Sequence, residues 1–377
     1  MKILYCLSHI NKSLQWEWFA EEMKRRDIQQ VFVLIDLENG IECFLYEDLK
    51  KLGLKTYLLK HKGRFSHINN MLKIRALIHE YKVDIVHTAL PFGNLVGQTA
   101  ALLSGITNRV TTCENASWAH DFKSKKQEWI DNYTFRISKK IIANSEISAD
   151  YLRKNWTFDK SKLEVIYHGW KASDYIVSSD RIEKIKLRLE IPKDKNGFIV
   201  GVLSRFEFWK GYKYIIEAAN ILKDTPGIKF YIFGGRGSYY NEAMDMIASY
   251  NLEDKIIHTE FIEDSPALYQ LFDVHLHVPI DQYVETGGLT IVDGMMAARP
   301  QVLTLSGYAY QVSRHMQNAY VVPYKNAQAI AEAILWMKNN PGRSHEMAQQ
   351  AKKDAINMFD INIKVDKHLK IYNALMK

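Results

Sequence analysis

The sequence predicts an α/β protein of two similar-sized domains, each a parallel sheet with helices on both faces. Three observations carry this. Short β-rich runs alternate with longer amphipathic stretches along the chain. The alternation pauses once, at 169–196, in the polar stretch "GWKASDYIVSSDRIEKIKLRLEIPKDKN". The length, 377 residues, exceeds one ordinary core and suits two.

Before the pause the strand candidates are "KILYCLS", "QVFVLID", "KTYLL", "VDIVHTA", "RVTTCE", "KIIANS" and "KLEVIYH". Helical patterns such as "NNMLKIRALIHEY" lie between them. After it come "GFIVGVLSR", "IKFYIFG", "KIIHTEF", "DVHLHVP", "RPQVLTL" and "AYVVPY". No short fixed period recurs, which excludes a solenoid. The expected division is an N-terminal Rossmann-like domain over 1–170, a linker with a short helix over 171–196, and a C-terminal Rossmann-like domain over 197–358. The tail 359–377 reads as a terminal helix packing back on the first domain. Two such sheets facing across a cleft would bind ligands at the carboxyl ends of their strands.

Composition narrows the class. The chain is 47% hydrophobic and 25% charged, ordinary for a globular protein. Its three cysteines, Cys6, Cys43 and Cys113, form no CxxC pair. That argues against a disulfide framework and a zinc site, and fits a reducing cytoplasm. No apolar run reaches the length of a membrane-spanning helix, and "MKILYCLSHINKS" reads as a first strand rather than a signal peptide. Residues 1–176 hold 26 Lys/Arg against 20 Asp/Glu, the remainder 24 against 23. The basic half therefore suits an anionic partner: a membrane surface, a phosphorylated acceptor or nucleic acid. The clusters "KHKGRF" (60–65) and "KSKKQEW" (123–129) carry most of the surplus; for either run alone a solvated charged face is the plainer reading.

Two stretches carry chemistry. In "GVLSRFEFWKGY" (201–212) a strand ends near Ser204, and Arg205 and Lys210-Gly211 stand at the mouth of the next helix. Two cations beside exposed helix N–H groups make an anion site, with Arg able to grip phosphate oxygens in pairs. In "YVETGGLTIVDGMMAARP" (283–300), Gly287, Gly288 and Leu289 open a helix whose amides would meet the same diphosphate from the other side. Glu285 precedes the glycines and Asp293 lies on the helix flank. Carboxylates accept well from sugar hydroxyls, so a sugar–diphosphate–ribose molecule would find Glu285 at its sugar and Asp293 at its ribose. In "YIFGGRGS" (231–238) the dinucleotide fingerprint fails. Turn chemistry accounts for Gly234, Gly235 and Gly237, and Gly235 is kept among the donor-side candidates.

The order Arg205…Lys210-Gly211, "FGGRG", "FIEDSPALYQLFDVHLHVP", Glu285…Asp293, "ARPQV" and "NAYVVPYKNAQAIAEAI" resembles the retaining GT-B glycosyltransferases of the large glycogen-synthase-like class, the family 4, group 1 type. The match covers about 160 residues of the second half in the right order and spacing. The first half is similar more loosely, through "VDIVHTALPFGNLVGQTAALLSGI", "ANSEIS" and "VIYHGW".

The resemblance implies transfer of a sugar from a nucleotide diphosphate, a UDP-sugar, with retained configuration. Arg205 and Lys210 would hold the diphosphate, Glu285 the donor sugar and Asp293 the ribose, without a metal or other cofactor. The acceptor would be a saccharide or a lipid-linked glycan in bacterial envelope polysaccharide synthesis. The protein would then be cytoplasmic, or peripheral on an anionic inner membrane face, with no nucleic-acid partner. A same-fold phosphorylase, a nucleotide-sugar epimerase and a noncatalytic nucleotide-sugar binding protein are the alternatives.

Four departures from the family pattern stand out. The second acid is usually Glu, and Asp293 is one carbon shorter. The first loop lacks a glycine pair and offers Trp16, Trp18 and Phe19, which read as a core-facing stripe. Where relatives place a His after the fifth strand, this chain has Glu114 or Asn115, with His120 nearby, as sugar- or acceptor-side candidates. "YHGW" stands where relatives have Asn-Gly, and His168 reads as a turn residue.

Overall fold

The computed structural model describes residues 1–377 apart from 9, 38–42, 63–64, 115–124, 192–196 and 260–261. It divides into two compact units. One is Met1–Trp170 with Phe359–Lys377, and the other is Lys171–Met358.

The first unit is built on seven strands: β1 (Lys2–Ser8), β2 (Gln29–Asp36), β3 (Lys55–Lys60), β4 (Ile85–Ala89), β5 (Arg109–Cys113), β6 (Lys140–Ala143) and β7 (Leu163–Val165). Their order is β3-β2-β1-β4-β5-β6-β7 and every pairing is parallel. Leu4 of β1 registers with Val31 on one side and Val86 on the other. Near-continuous apolar runs such as "VFVLI" fit this, because strands of a parallel sheet are covered on both faces.

Trp16, Trp18 and Phe19 are buried on the first helix, Leu14–Arg25. Trp16 and Phe19 pack edge-on against Tyr5, which stacks on Phe32. The last helix, Ile361–Leu375, is part of this unit. The Trp170 amide donates to the Phe359 carbonyl at 2.7 Å, and the Ile361 amide returns to the Trp170 carbonyl at 2.9 Å. Further along, the ring of buried His87 in β4 bonds both the Tyr372 hydroxyl of that helix and Thr112 of β5.

The second unit holds six strands: β8 (Phe198–Leu203), β9 (Ile228–Phe233), β10 (Ile256–Thr259), β11 (Val274–His277), β12 (Gln301–Leu303) and β13 (Tyr320–Val321). Their order is β10-β9-β8-β11-β12-β13, again all parallel. Each stretch read as a strand in the sequence is therefore one. In each unit the strand order reverses beside the first strand, between β1 and β4 and between β8 and β11. Open α/β sheets bind ligands beyond the carboxyl ends at such switch points.

Residues 171–188, expected within a linker, are a packed part of the second unit. They form a 3₁₀ turn, Ala172–Tyr175, and a helix, Ser179–Arg188. Arg181 donates two bonds, of 2.8 and 2.6 Å, to Asp264, whose side chain also caps the helix Ser265–Tyr269.

Gly201 of β8 faces the Phe272 ring, and a Cβ there would lie 2.4 Å from three ring atoms. Gly201→Ala is expected to destabilise the second unit by about 1–3 kcal/mol through overpacking. Urea denaturation followed by tryptophan fluorescence checks this, and an unchanged midpoint would contradict it.

Candidate active site

The carboxyl ends of β8 and β11 deliver the sequence-predicted residues of the second unit to one place. β8 runs out at Leu203, and Ser204 and Arg205 follow. A 3₁₀ turn, Phe208–Lys210, then leads through Gly211 into the helix Tyr212–Ile221. Gly211 sits at φ 80°, and a Cβ on it would lie 2.1 Å from the Val278 carbonyl oxygen just beyond β11. Only glycine combines that backbone conformation with so close an approach. It brings Lys210 against the β11 end.

There Lys210 Nζ donates to Glu285 Oε1. The other carboxylate oxygen, Oε2, lies 2.7 Å from His277 Nε2, at the last residue of β11. An ionised carboxylate only accepts, so His277 carries its proton on Nε2. Its Nδ1 lies 3.2 Å from Thr290 Oγ1. Glu285 is 7% exposed. Burial pushes its pKa up, but the charges of His277 and Lys210 and their hydrogen bonds more than offset this and hold it well below the usual carboxylate range. Glu285 is thus an ionised acid held by two donors on a buried edge.

Gly288 caps the helix Leu289–Met296 at φ 75°, and a Cβ on it would lie 2.8 Å from Glu285 Oε2. The glycine makes room for the carboxylate as much as for a ligand. The Gly287 carbonyl accepts from the Tyr308 amide. Leu289 is exposed at the helix start.

One turn on, Asp293 accepts from the hydroxyl of buried Tyr175 at 2.5 Å. Arg205 is exposed. The loop after β9 lies beside it. The Phe206 amide donates to the Gly235 carbonyl at 3.4 Å, and Ser238 donates to the buried carboxylate of Glu207 at 2.6 Å.

The structure therefore brings Lys210, Glu285 and Gly288 into direct proximity, with Arg205 and Gly235 on the adjoining loops and Asp293 one helical turn away. Glu114 lies at the carboxyl end of β5 in the first unit, and burial raises its pKa. Asn115 and His120 fall outside the described residues. His168 lies in the first unit, where burial lowers its pKa well below the usual value. Sequence reading passed over His277, Thr290, Glu207 and Tyr175. For His277 a signal existed: a strand covered on both faces carries "HLH", a polar pattern where apolar residues are expected. Tyr175 gave none, because it lies in a stretch that reads as linker.

Comparison with known proteins gives this geometry its context. Residues 183–354 match the family model described as Glycosyl transferases group 1, and residues 19–172 match Glycosyltransferase Family 4. EpsD of Bacillus subtilis (strain 168), which carries a glycosyltransferase name, is 23% identical over 81% of this chain and 80% of its own. The Escherichia coli UDP-Gal:alpha-D-GlcNAc-diphosphoundecaprenol alpha-1,3-galactosyltransferase is 20% identical over 90% of this chain and 88% of its own. The crystal structure of Anabaena HepE in complex with UDP-glucose superposes with a TM-score of 0.83, at 20% identity, over 99% of this chain and 100% of that one.

Two Rossmann-like units and these matches define a glycosyltransferase of the GT-B architecture. The chain belongs to the group 1 glycosyltransferases, with a family 4 region ahead of the group 1 region.

Because Glu285 is more acidic in the folded chain than in the unfolded one, its ion pair stabilises the fold above the unfolded value, about pH 4.3. That stabilisation is lost as pH falls from there toward the folded value. The urea midpoint of the native chain is expected to exceed that of Glu285→Gln at pH 7, and the gap to shrink at pH 3.5. A gap that widens on acidification would contradict the pairing.

Proposed function

We propose that this glycosyltransferase moves a sugar from a UDP-sugar, with retained configuration, to a glycan or lipid-linked acceptor in bacterial cell-surface polysaccharide synthesis. The observation that carries the reading is the Lys210–Glu285 pair at the switch point. A cation made for a diphosphate and a carboxylate made for sugar hydroxyls lie within one hydrogen bond of each other. They therefore fit adjacent parts of one donor.

An ammonium has three donors. Glu285 takes one from Lys210, and the others can reach phosphate oxygens. As the bond from the sugar carbon to the diphosphate breaks, its electron pair leaves with the diphosphate. Lys210, Arg205 and the amides of Gly288 and Leu289 then face the growing negative charge. This charge neutralisation supports a reaction without metal or other cofactor. Glu285 stays ionised, and its remaining lone pairs accept from sugar hydroxyls. Asp293, with Tyr175 on one oxygen, suits the ribose side; the phenol stiffens an acid one carbon shorter than usual.

The relatives support the finer points. Besides the UDP-Gal enzyme, a Staphylococcus aureus poly(ribitol-phosphate) alpha-N-acetylglucosaminyltransferase is 28% identical over 47% of this chain, though over only 35% of its own length. Both names specify alpha products, and an alpha product from an alpha-linked donor is retention. One name specifies a poly(ribitol-phosphate) acceptor, and the other a GlcNAc joined to a lipid diphosphate. Among the described residues no helix is long and apolar enough to cross a membrane. Such an acceptor would therefore call for a cytoplasmic protein working peripherally at the membrane.

Slow donor hydrolysis with a panel of UDP-, GDP- and ADP-sugars tests the reading, and UDP-sugars are expected to be consumed. Lys210→Ala and Arg205→Ala should each lower kcat/KM by about a hundredfold or more. Glu285→Gln should depress kcat far more than UDP affinity, whereas Asp293→Asn and Tyr175→Phe should mainly raise donor KM. Near-normal kcat/KM in both cation variants would remove the diphosphate assignment, and the reverse pattern in the acids would turn the donor round.

A further inference from the structure

The first unit exposes large apolar side chains on two of its helices. Phe65, Ile68 and Leu72 stand three and four residues apart at the start of the helix Ser66–Tyr81, so they share one face. They are 66%, 43% and 49% exposed. Trp129, on the helix Lys125–Ile137, is 62% exposed and stacks parallel on Tyr133. The helix Pro91–Leu103 packs against both of these helices, with Thr99 bonded to Tyr133 at 3.2 Å.

The starts of the two outer helices lie at the carboxyl edge of the sheet, since each runs back antiparallel to the strand before it. His61 follows β3 at the same edge. Its ring rests on Phe92 and stacks with His67, and besides burial the charges of His67 and Lys126 lower its pKa.

Charge gives the surface its occupant. Among the described residues of 60–75 and 125–137 the exposed cations are Lys60, Lys62, Lys73, Lys125, Lys126 and Arg136, and the exposed acid is Glu128. Large apolar side chains rimmed by lysines are what an anionic bilayer takes up. The rings and alkyl chains enter the headgroup boundary, and the ammonium groups meet lipid phosphates. A nearly uncharged rim would instead suit a protein partner.

We propose that this edge of the first unit docks on an anionic lipid surface through Phe65, Ile68, Leu72 and Trp129. The inference deepens the reading of a membrane-held acceptor and rests on it. It assigns the contact to one edge of one sheet, the edge at which an open α/β sheet binds its ligand.

Flotation of the full chain with vesicles tests the surface. The native protein is expected to float with phosphatidylglycerol-containing vesicles at low salt and far less with phosphatidylcholine alone or at high salt. The double variants Phe65→Ser/Trp129→Ser and Lys125→Ala/Lys126→Ala should each lower the vesicle-bound fraction by about tenfold. All four positions are exposed, so the fold should survive, and an unchanged urea midpoint confirms that it does. Donor hydrolysis in water should be the same in native protein and variants. Recovery that is equal with and without anionic lipid, or unaffected by both double variants, overturns the docking proposal whatever the hydrolysis shows. Loss of hydrolysis in the native chain overturns the glycosyltransferase chemistry instead.

Discussion

The carboxylate of Glu285 is the tie on which the candidate site depends. It joins the turn after β8 through Lys210, the end of β11 through His277 and the glycine cap of the helix Leu289–Met296. These segments meet because β8 and β11 are neighbours in the sheet although some seventy residues separate them in the chain. A buried carboxylate is costly unless charge and hydrogen bonds compensate it. Here both oxygens are taken, one by an ammonium and one by an imidazole. The arrangement is therefore self-supporting without a ligand, and a donor would add contacts to a shape that already exists.

The same tie separates what the sequence could show from what it could not. The thirteen strands were legible because parallel strands are apolar runs bounded by turn residues, and each unit repeats that pattern. The chemistry was legible as types in order: Arg205, Lys210, the glycines and two acids. The direct contact between Lys210 and Glu285 was not, because it depends on which strands adjoin and on Gly211 passing within reach of Val278. Tyr175 was invisible for a different reason. Its stretch is polar and reads as linker, yet Arg181 pins it to Asp264, and the phenol then reaches Asp293 from more than a hundred residues away. Propensity carries no information about a contact that is made by one ion pair and one hydrogen bond.

The two units also differ in how their cores close. The second is one continuous stretch, Lys171–Met358, whereas the first needs the last nineteen residues of the chain. Those residues are more than a cover. Tyr372 supplies the hydroxyl that meets buried His87, and Trp170 and Phe359 exchange the chain between the units at a single backbone bridge. An unpaired buried imidazole carries a desolvation cost of its own, so the central strand β4 is fully satisfied only after the final helix arrives. The site of the second unit is made entirely of side chains within that continuous stretch, so the Lys210–Glu285 tie needs no residue of the first unit.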